Sequence, residues 1–377
     1  MPKIHSHFLE KFRRITSAGN YIPEIDGLRF MAIFWVVVWM HLPTVLNNNL
    51  FDGNLITDSY VAAVILEGGH GVSFFFMISG FILALPFIKE KLSDGSPVSL
   101  KRYYLRRLTR LEPPYLAALL ISFILLLIIK GESFTNLLPH LGASAVYLHN
   151  VIYNDSSTVL GVAWSLEVEV QFYILAPFFC FIYLVKNKLI RRLMLVLLIL
   201  LSGVYAYYHL WKLPTILPHF LCYFFSGLLL ADLYSGGHKL KFNNKTGMMS
   251  GAAILISLPF IISVHSIWFF LLKLLLMNAA FYLVLFNEGL KKRMSSQLIT
   301  IIGGMCYSIY LLHLLIMSAV SKGFASLPFL EGVAGIIVYG ALLLAVVVIF
   351  SAVFYRLIEQ PCMKRDWYKN VFKGRKS

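Results

Sequence analysis

The stretch "WSLEVEVQFYILAPFFCFIYLV", residues 164–185, puts a serine and two glutamates at the head of a long apolar run. About 20 mostly apolar residues are what an α-helix needs to cross a bilayer. The run therefore reads as a membrane span whose first turns carry carboxylates. Stretches of the same kind lie near 28–47, 69–88, 113–130, 190–208, 216–234, 247–265, 267–287, 298–318 and 334–357. With 165–185 they predict an all-α bundle of about ten transmembrane helices.

Composition points the same way. The 377 residues are 59% hydrophobic and 14% charged, with a mean hydropathy of +0.75, where a soluble domain carries roughly 25% charged residues. The net charge of +15 does not predict nucleic-acid binding, because the basic residues form short clusters between apolar runs. Of 33 lysines and arginines, 28 fall in residues 1–23, 89–110, 186–192, 239–245, 291–293 and the C-terminal segment. That asymmetry places both termini in the cytoplasm. The predicted organisation is a basic N-terminal segment (1–23), a transmembrane core (24–361) and a basic tail (362–377). Residues 1–20 read as a basic helix on the inner leaflet, a topology anchor rather than part of a site. The first apolar stretch contains Arg29 and no small-residue cleavage site follows it, so a cleaved signal peptide is not expected. Cys180, Cys222, Cys306 and Cys362 have no metal-ligand spacing and read as small buried side chains.

An ionisable group inside a span costs at least about 2.5–3.5 kcal/mol and marks a functional candidate. The inventory is Arg29, His41, His70, Glu167, Glu169, Lys273, His313 and Glu359. At about 1.5 Å rise per residue, His41 lies well outward of Arg29. His70, Ser165, Glu169 and His313 join it in the outer half. Glu167, two steps from Glu169, is expected to face away, toward water, and Lys273 to snorkel outward. The inner face carries "KRYYLRRLTRLEPPY", residues 101–115. Arg107 and Arg110 share a helical face there, and their guanidinium forks suit phosphate oxygens. Arg102 and Arg106 stand beside them, and Glu112 and Glu359 are candidate partners. Gly71, Gly80 and Pro177 read as packing and backbone features, and the aromatic run "SFFFMISGF" receives no chemistry. The interval 131–163, the longest polar one, is expected to face outside.

Six stretches carry a family resemblance: "EIDGLRFMAIFWVVVWMH" (24–41), "GVSFFFMISGFIL" (71–83), "RLTRLEPPY" (107–115), "WSLEVEVQFYILAP" (164–177), "GGMCYSIYLLH" (303–313) and "YRLIEQP" (355–361). In this order, and over nearly the whole chain, they resemble acyltransferase family 3. Those membrane proteins O-acylate cell-surface polysaccharides, lipopolysaccharide O-antigens and some secreted small molecules. The resemblance implies ten core helices in the inner membrane, no permanently bound cofactor and no metal. It also implies acyl-CoA, most often acetyl-CoA, as cytoplasmic co-substrate, and a hydroxyl of a glycan or lipid-linked sugar as acceptor. Its functional residues map onto Arg29, His41, Arg107, Arg110 and, in the Trp-Ser-Leu-x-x-Glu stretch, Glu169.

One spacing departs from the family, which has ten residues between the Arg and the His where this chain has eleven. At about 100° per residue, the extra step turns His41 off the Arg29 face unless a local bulge absorbs it. The expected mechanism holds the donor's phosphates on Arg107 and Arg110, assisted by Arg106 or Arg102. His41 then acts as general base or as acyl-carrying nucleophile. Glu169 orients His41 or holds the sugar, Ser165 shares its face, and Tyr310 and His313 donate to the thioester oxygen. A transporter or flippase of a lipid-linked glycan or small metabolite is the alternative. Spans in matching, interrupted halves would favour it, and the sequence has none.

Overall fold

The computed structural model describes residues 10–15, 21–51, 53, 55–93, 95–209, 214–237, 243–263, 266–324, 332–364 and 367. In chain order the helices are α1 (Pro23–Asn49), α2 (Ser59–Leu92), α3 (Leu100–Ile129), α4 (Phe134–Ala145), α5 (His149–Tyr153), α6 (Ala163–Leu184) and α7 (Lys188–His209). They continue with α8 (Leu217–Ser235), α9 (Asn244–Ser257), α10 (Ile267–Phe286), α11 (Glu288–Met294), α12 (Gln297–Gly304), α13 (Cys306–Gly323) and α14 (Ala334–Cys362). Among the described residues there is no strand. Among the described residues, nine helices, all but α4, α5, α9, α11 and α12, are long and apolar enough to span a membrane. The expected tenth, 247–265, folds as the 14-residue α9 and gives way to a 3-10 turn at Leu258–Phe260. Pro259 supplies no N–H to continue the helix there.

Packing follows from which face of each helix is small or apolar. On α7, Arg191, Leu195, Ile199, Gly203 and Ala206 are buried, while Leu193, Leu197, Leu200 and Leu201 are exposed. A helix with an apolar face left uncovered suits lipid as its neighbour. At the centre stand α2 and α8, each with 72% of its apolar window buried. A Cβ on Gly80 would lie 2.3 Å from the Phe224 carbonyl oxygen, and one on Gly227 2.2 Å from that of Met77. Backbone therefore meets backbone there, as small residues in membrane helices allow. Phe76, Phe172 and Phe224 stack around this crossing.

Two local features position the site. First, α1 changes to π-helix over Trp35–His41. A π-turn accommodates one residue more than an α-turn, so the eleven residues between Arg29 and His41 subtend the angle that ten would in a regular helix. The bulge that the spacing called for is present.

Second, the 131–163 interval does not simply face outward. It folds back along α3 through a ladder of contacts. Phe134 meets Phe123, the Tyr115 hydroxyl donates to the Ser144 carbonyl, and the Tyr147 hydroxyl donates to Glu112. On its return, the Val159 carbonyl accepts from Ser122. The α6 helix consequently starts inside the bundle rather than at its rim.

Candidate active site

One end of the bundle, where α1 and α13 begin and α2 and α6 run out, gathers arginines. Arg29, Arg107 and Arg110 line a pocket there, together with Arg14, Glu169, Glu359, Ser79 and Tyr173. It encloses roughly 940 Å³ of empty space, open mouth included. Arg107 and Arg110 point into it from one face of α3, as their spacing predicts. Arg106 does not line it and is exposed, as is Arg102. One residue is about 100° of helix, enough to carry Arg106 off the pocket face, so its expected place among the donor-binding residues is not supported. The expected Arg–Glu pairing also changes. Glu359 accepts from the Ser308 amide at 3.1 Å and its hydroxyl at 2.5 Å, while Glu112 accepts from Tyr147. Arg29, which was outside that expectation, binds Asp26 at 2.5 Å.

Glu169 sits in this pocket and not beside His41. The Ser79 and Tyr173 hydroxyls donate to its Oε1, and the Arg107 guanidinium lies 5.6 Å from the centre of the Tyr173 ring. The inward start of α6 explains the difference from the sequence-based placement in the outer half. Glu167 is another correction, being fully buried. Its Oε2 accepts from the Asn150 amide at 2.9 Å, because the folded-back α4–α5 segment covers the surface that the sequence left to water.

The far end of the pocket is closed by Ser165 and Tyr310, whose hydroxyl oxygens are 2.7 Å apart, and both reach the Val162 carbonyl. Just beyond, the Tyr310 ring is 5.9 Å from that of His313. His313 is completely buried, and His41 Nδ1 lies 2.8 Å from its Nε2. His313 Nδ1 faces the Tyr310 and Ile309 carbonyls at 2.8 and 3.1 Å. Carbonyls only accept, so Nδ1 carries the proton and, in the neutral ring, Nε2 accepts from His41 Nδ1–H. That leaves the lone pair of His41 on Nε2. His313 thus sets the tautomer of His41, the role expected of Glu169, and its own N–H is not directed at a thioester.

His70 and Lys273 belong to a second cluster at the other end, the histidine end. Lys273 is 2% exposed, lies 2.5 Å from Glu67 and donates to the Ile261 carbonyl at 3.1 Å. His70 Nε2 also meets Glu67, and the Ser263 amide and hydroxyl complete the carboxylate's shell. The expected snorkelling fails because Glu67, outside the boundary drawn for the second span, supplies a partner. The Glu67–Gly68–Gly69–His70 turn rests on the π segment of α1. A Cβ on Gly68 would lie 2.6 Å from the Trp35 carbonyl oxygen. This cluster therefore backs the segment that carries His41.

Several pocket residues were not singled out from sequence. Ser79 and Phe75 come from the aromatic run given no chemistry, and Cys306 lines the pocket although all four cysteines are free and buried. Asp26 stood within a quoted motif, and only its separation of three from Arg29 signalled it. Among the described residues no group of His, Cys, Asp and Glu could hold a metal ion.

Comparison with known proteins gives this arrangement a family. The acyltransferase domain family matches residues 22–356. The chain is 25% identical to O-acetyltransferase OatA of Staphylococcus aureus over 404 residues, 97% of this chain and 61% of that protein. Another Staphylococcus aureus protein, an O-acetyltransferase by name, is 25% identical over 92% of this chain and 58% of its own length. Peptidoglycan O-acetyltransferase OatA of Listeria monocytogenes is 30% identical over 198 residues, 49% of this chain and 29% of that protein. The chain thus spans less than two thirds of the length of these relatives. No solved structure matches it. The matched region holds every residue that builds the pocket except Arg14 and Glu359, and the chain belongs to the acyltransferase family 3 of multi-pass membrane proteins.

Proposed function

We propose that the chain moves an acetyl group from acetyl-CoA to a sugar hydroxyl of a cell-envelope glycan. The observation that carries this is a pocket that begins among four arginines and ends at Ser165 and Tyr310, next to the His41–His313 pair. Guanidiniums at one end suit the donor's phosphates. The pantetheine arm then lies between Phe75, Ile82 and Leu166, with the Ser165–Tyr310 contact between its end and the imidazoles. The clustering of lysines and arginines supports a cytoplasmic position for the arginine end and both termini.

In the reaction, the acceptor O–H and the acyl C–S bonds break, the ester C–O bond forms, and the proton ends on the CoA thiol. His41 Nε2 holds the lone pair that removes the proton. The same atom would take the acyl group first if the transfer is covalent. Glu169, held by Ser79 and Tyr173, keeps the arginine end from being uniformly positive. The sugar acceptor is supported by the name of the Listeria relative, a peptidoglycan O-acetyltransferase.

The test is the base-labile O-acetyl content of envelope glycans, peptidoglycan included, in cells lacking the gene. Restoration by the intact chain and not by His41→Ala at equal membrane abundance is expected. Unchanged acetylation on deletion would refute the reading, and would favour a transporter if acetyl-CoA were also left unconsumed by the purified protein.

A further inference from the structure

Residues 10–15 do not stand apart from the bundle as a membrane anchor. They pass beneath the mouth of the arginine pocket. Gln360 Nε2 donates to the Lys11 and Arg13 carbonyls at 2.8 and 3.2 Å, and Arg356 reaches the Lys11 carbonyl at 3.4 Å. Phe12 and Ile15 pack against the hydrophobic core. Arg13 turns outward from the pocket, over the Tyr21 ring. Burial and the neighbouring Asp26 push the Tyr21 hydroxyl up to about 12, so it stays protonated and serves Asp26 as a donor.

Arg14 turns the other way. Its side chain is 11% exposed, lines the pocket with Arg29, Arg107 and Arg110, and puts Nη1 3.0 Å from Asp26 Oδ1. Arg29 binds that same oxygen. One carboxylate oxygen therefore serves two guanidiniums, and Arg14 Nε has no hydrogen-bond partner among the described residues. The segment does not need this guanidinium to stay in place, because backbone acceptors and two apolar side chains already hold it. Arg14 lines the cavity with its side chain largely enclosed, and a guanidinium that shares one carboxylate oxygen with Arg29 gains from a second anion there.

We infer that Arg14 is a phosphate-binding residue of the donor site, so that the segment before the first span forms one wall of that site. The inference rests on the reading of the pocket as an acyl-CoA site. Arg14 and Arg29, tied through Asp26, form one guanidinium pair. Arg107 and Arg110, three residues apart on α3, supply the other two guanidiniums of the pocket. A donor with a diphosphate and a separate 3′-phosphate presents anionic groups for both pairs, and bidentate guanidinium contacts suit each.

The experiment uses the full chain in lipid nanodiscs. Binding and turnover are measured with acetyl-CoA and with S-acetylpantetheine, which keeps the thioester and lacks every phosphate. Arg14→Gln is expected to weaken acetyl-CoA binding about tenfold or more, as loss of a charged hydrogen-bonding partner does, and to leave KM for S-acetylpantetheine within about twofold. Arg13→Gln removes the same charge from the same segment and should change neither. If the intact chain binds no acetyl-CoA, the donor reading falls and this assignment with it. If the intact chain binds and Arg14→Gln binds equally well, Arg14 alone is removed from the site. Equal losses with both donors would make Arg14 a structural residue and overturn the assignment. Should Arg14→Gln fail to accumulate, Arg14→Lys keeps the ion pair with Asp26 and carries the same comparison: a loss confined to acetyl-CoA supports the assignment, and equal losses or none overturn it.

Discussion

Two buried ionic clusters sit at opposite ends of this bundle, and they are finished to different degrees. At the histidine end, Glu67 receives Lys273, His70 and the Ser263 amide and hydroxyl, and none of these side chains has a buried polar atom without a partner. At the arginine end, Arg14 Nε and Asp26 Oδ2 have no partner among the described residues, and the guanidiniums border empty space. Open hydrogen-bonding capacity beside empty space, and not ionisability by itself, is what sets the arginine end apart. A closed cluster holds helices together, here behind the π segment of α1. An open one is shaped for something the chain does not itself contain.

The largest effects should fall where the two regions meet. His41→Ala is expected to cut acetyl transfer by about 10²–10⁴-fold, the range for a lost general base, while leaving buried His313 Nε2 unpartnered costs about 1–3 kcal/mol of stability. A folded His41→Ala protein that keeps the rate of the intact chain would make His41 a packing residue. His313→Ala should lower the rate less, because it frees the tautomer and ring angle of His41 but leaves the base. A rate equal to that of the intact chain would dissociate the pair. For the closed cluster, the order of readouts reverses. Lys273→Met alone leaves Glu67 buried and short of its cation, and should cost about 3–5 kcal/mol of stability. Lys273→Met with Glu67→Met should recover most of that, and denaturant titration of the three proteins decides it. Should the double variant be as unstable as the single one, the cluster would not be a closed pair.

Much of this was legible because polar residues stand out in an apolar chain. Arg29, His41, Glu169, Arg107 and Arg110 were each visible as exceptions to a local pattern, and the twelve steps from Arg29 to His41 left two readings, a local bulge or two separate faces, between which the π segment decides. What could not be read was partnership across the fold. Lys273 looked like a snorkelling lysine because Glu67 lies 206 positions away and outside any obvious span. Glu167 looked solvated because the 131–163 interval has the polarity of an external loop, and only tertiary contacts along α3 fold it inward. Arg14 was hidden for a different reason. Basic residues before a first span satisfy the topology rule whatever else they do, so their charge alone carries no information about a site.

The smallest predicted effects test whether openness is the property that matters. Arg107→Ala and Arg110→Ala should each raise KM for acetyl-CoA by about 10- to 100-fold, the loss expected for a charged hydrogen-bonding partner. Neither should reduce the unfolding midpoint, because the pocket gives these side chains no finished ion pair to break. Arg106→Ala removes the same charge from the same helix turn, but from an exposed position outside the pocket. Screening by water and salt makes such surface charges worth little. Its KM should therefore stay within about twofold of the intact chain's, since an exposed charge adds at most a few tenths of a kcal/mol. Measuring the three variants side by side separates a general positive field at the membrane surface from a defined set of guanidiniums. Equal losses at positions 106, 107 and 110 would favour the field. A loss confined to Arg107 and Arg110 would place recognition in the pocket, where one step of about 100° around α3 separates a binding residue from a bystander.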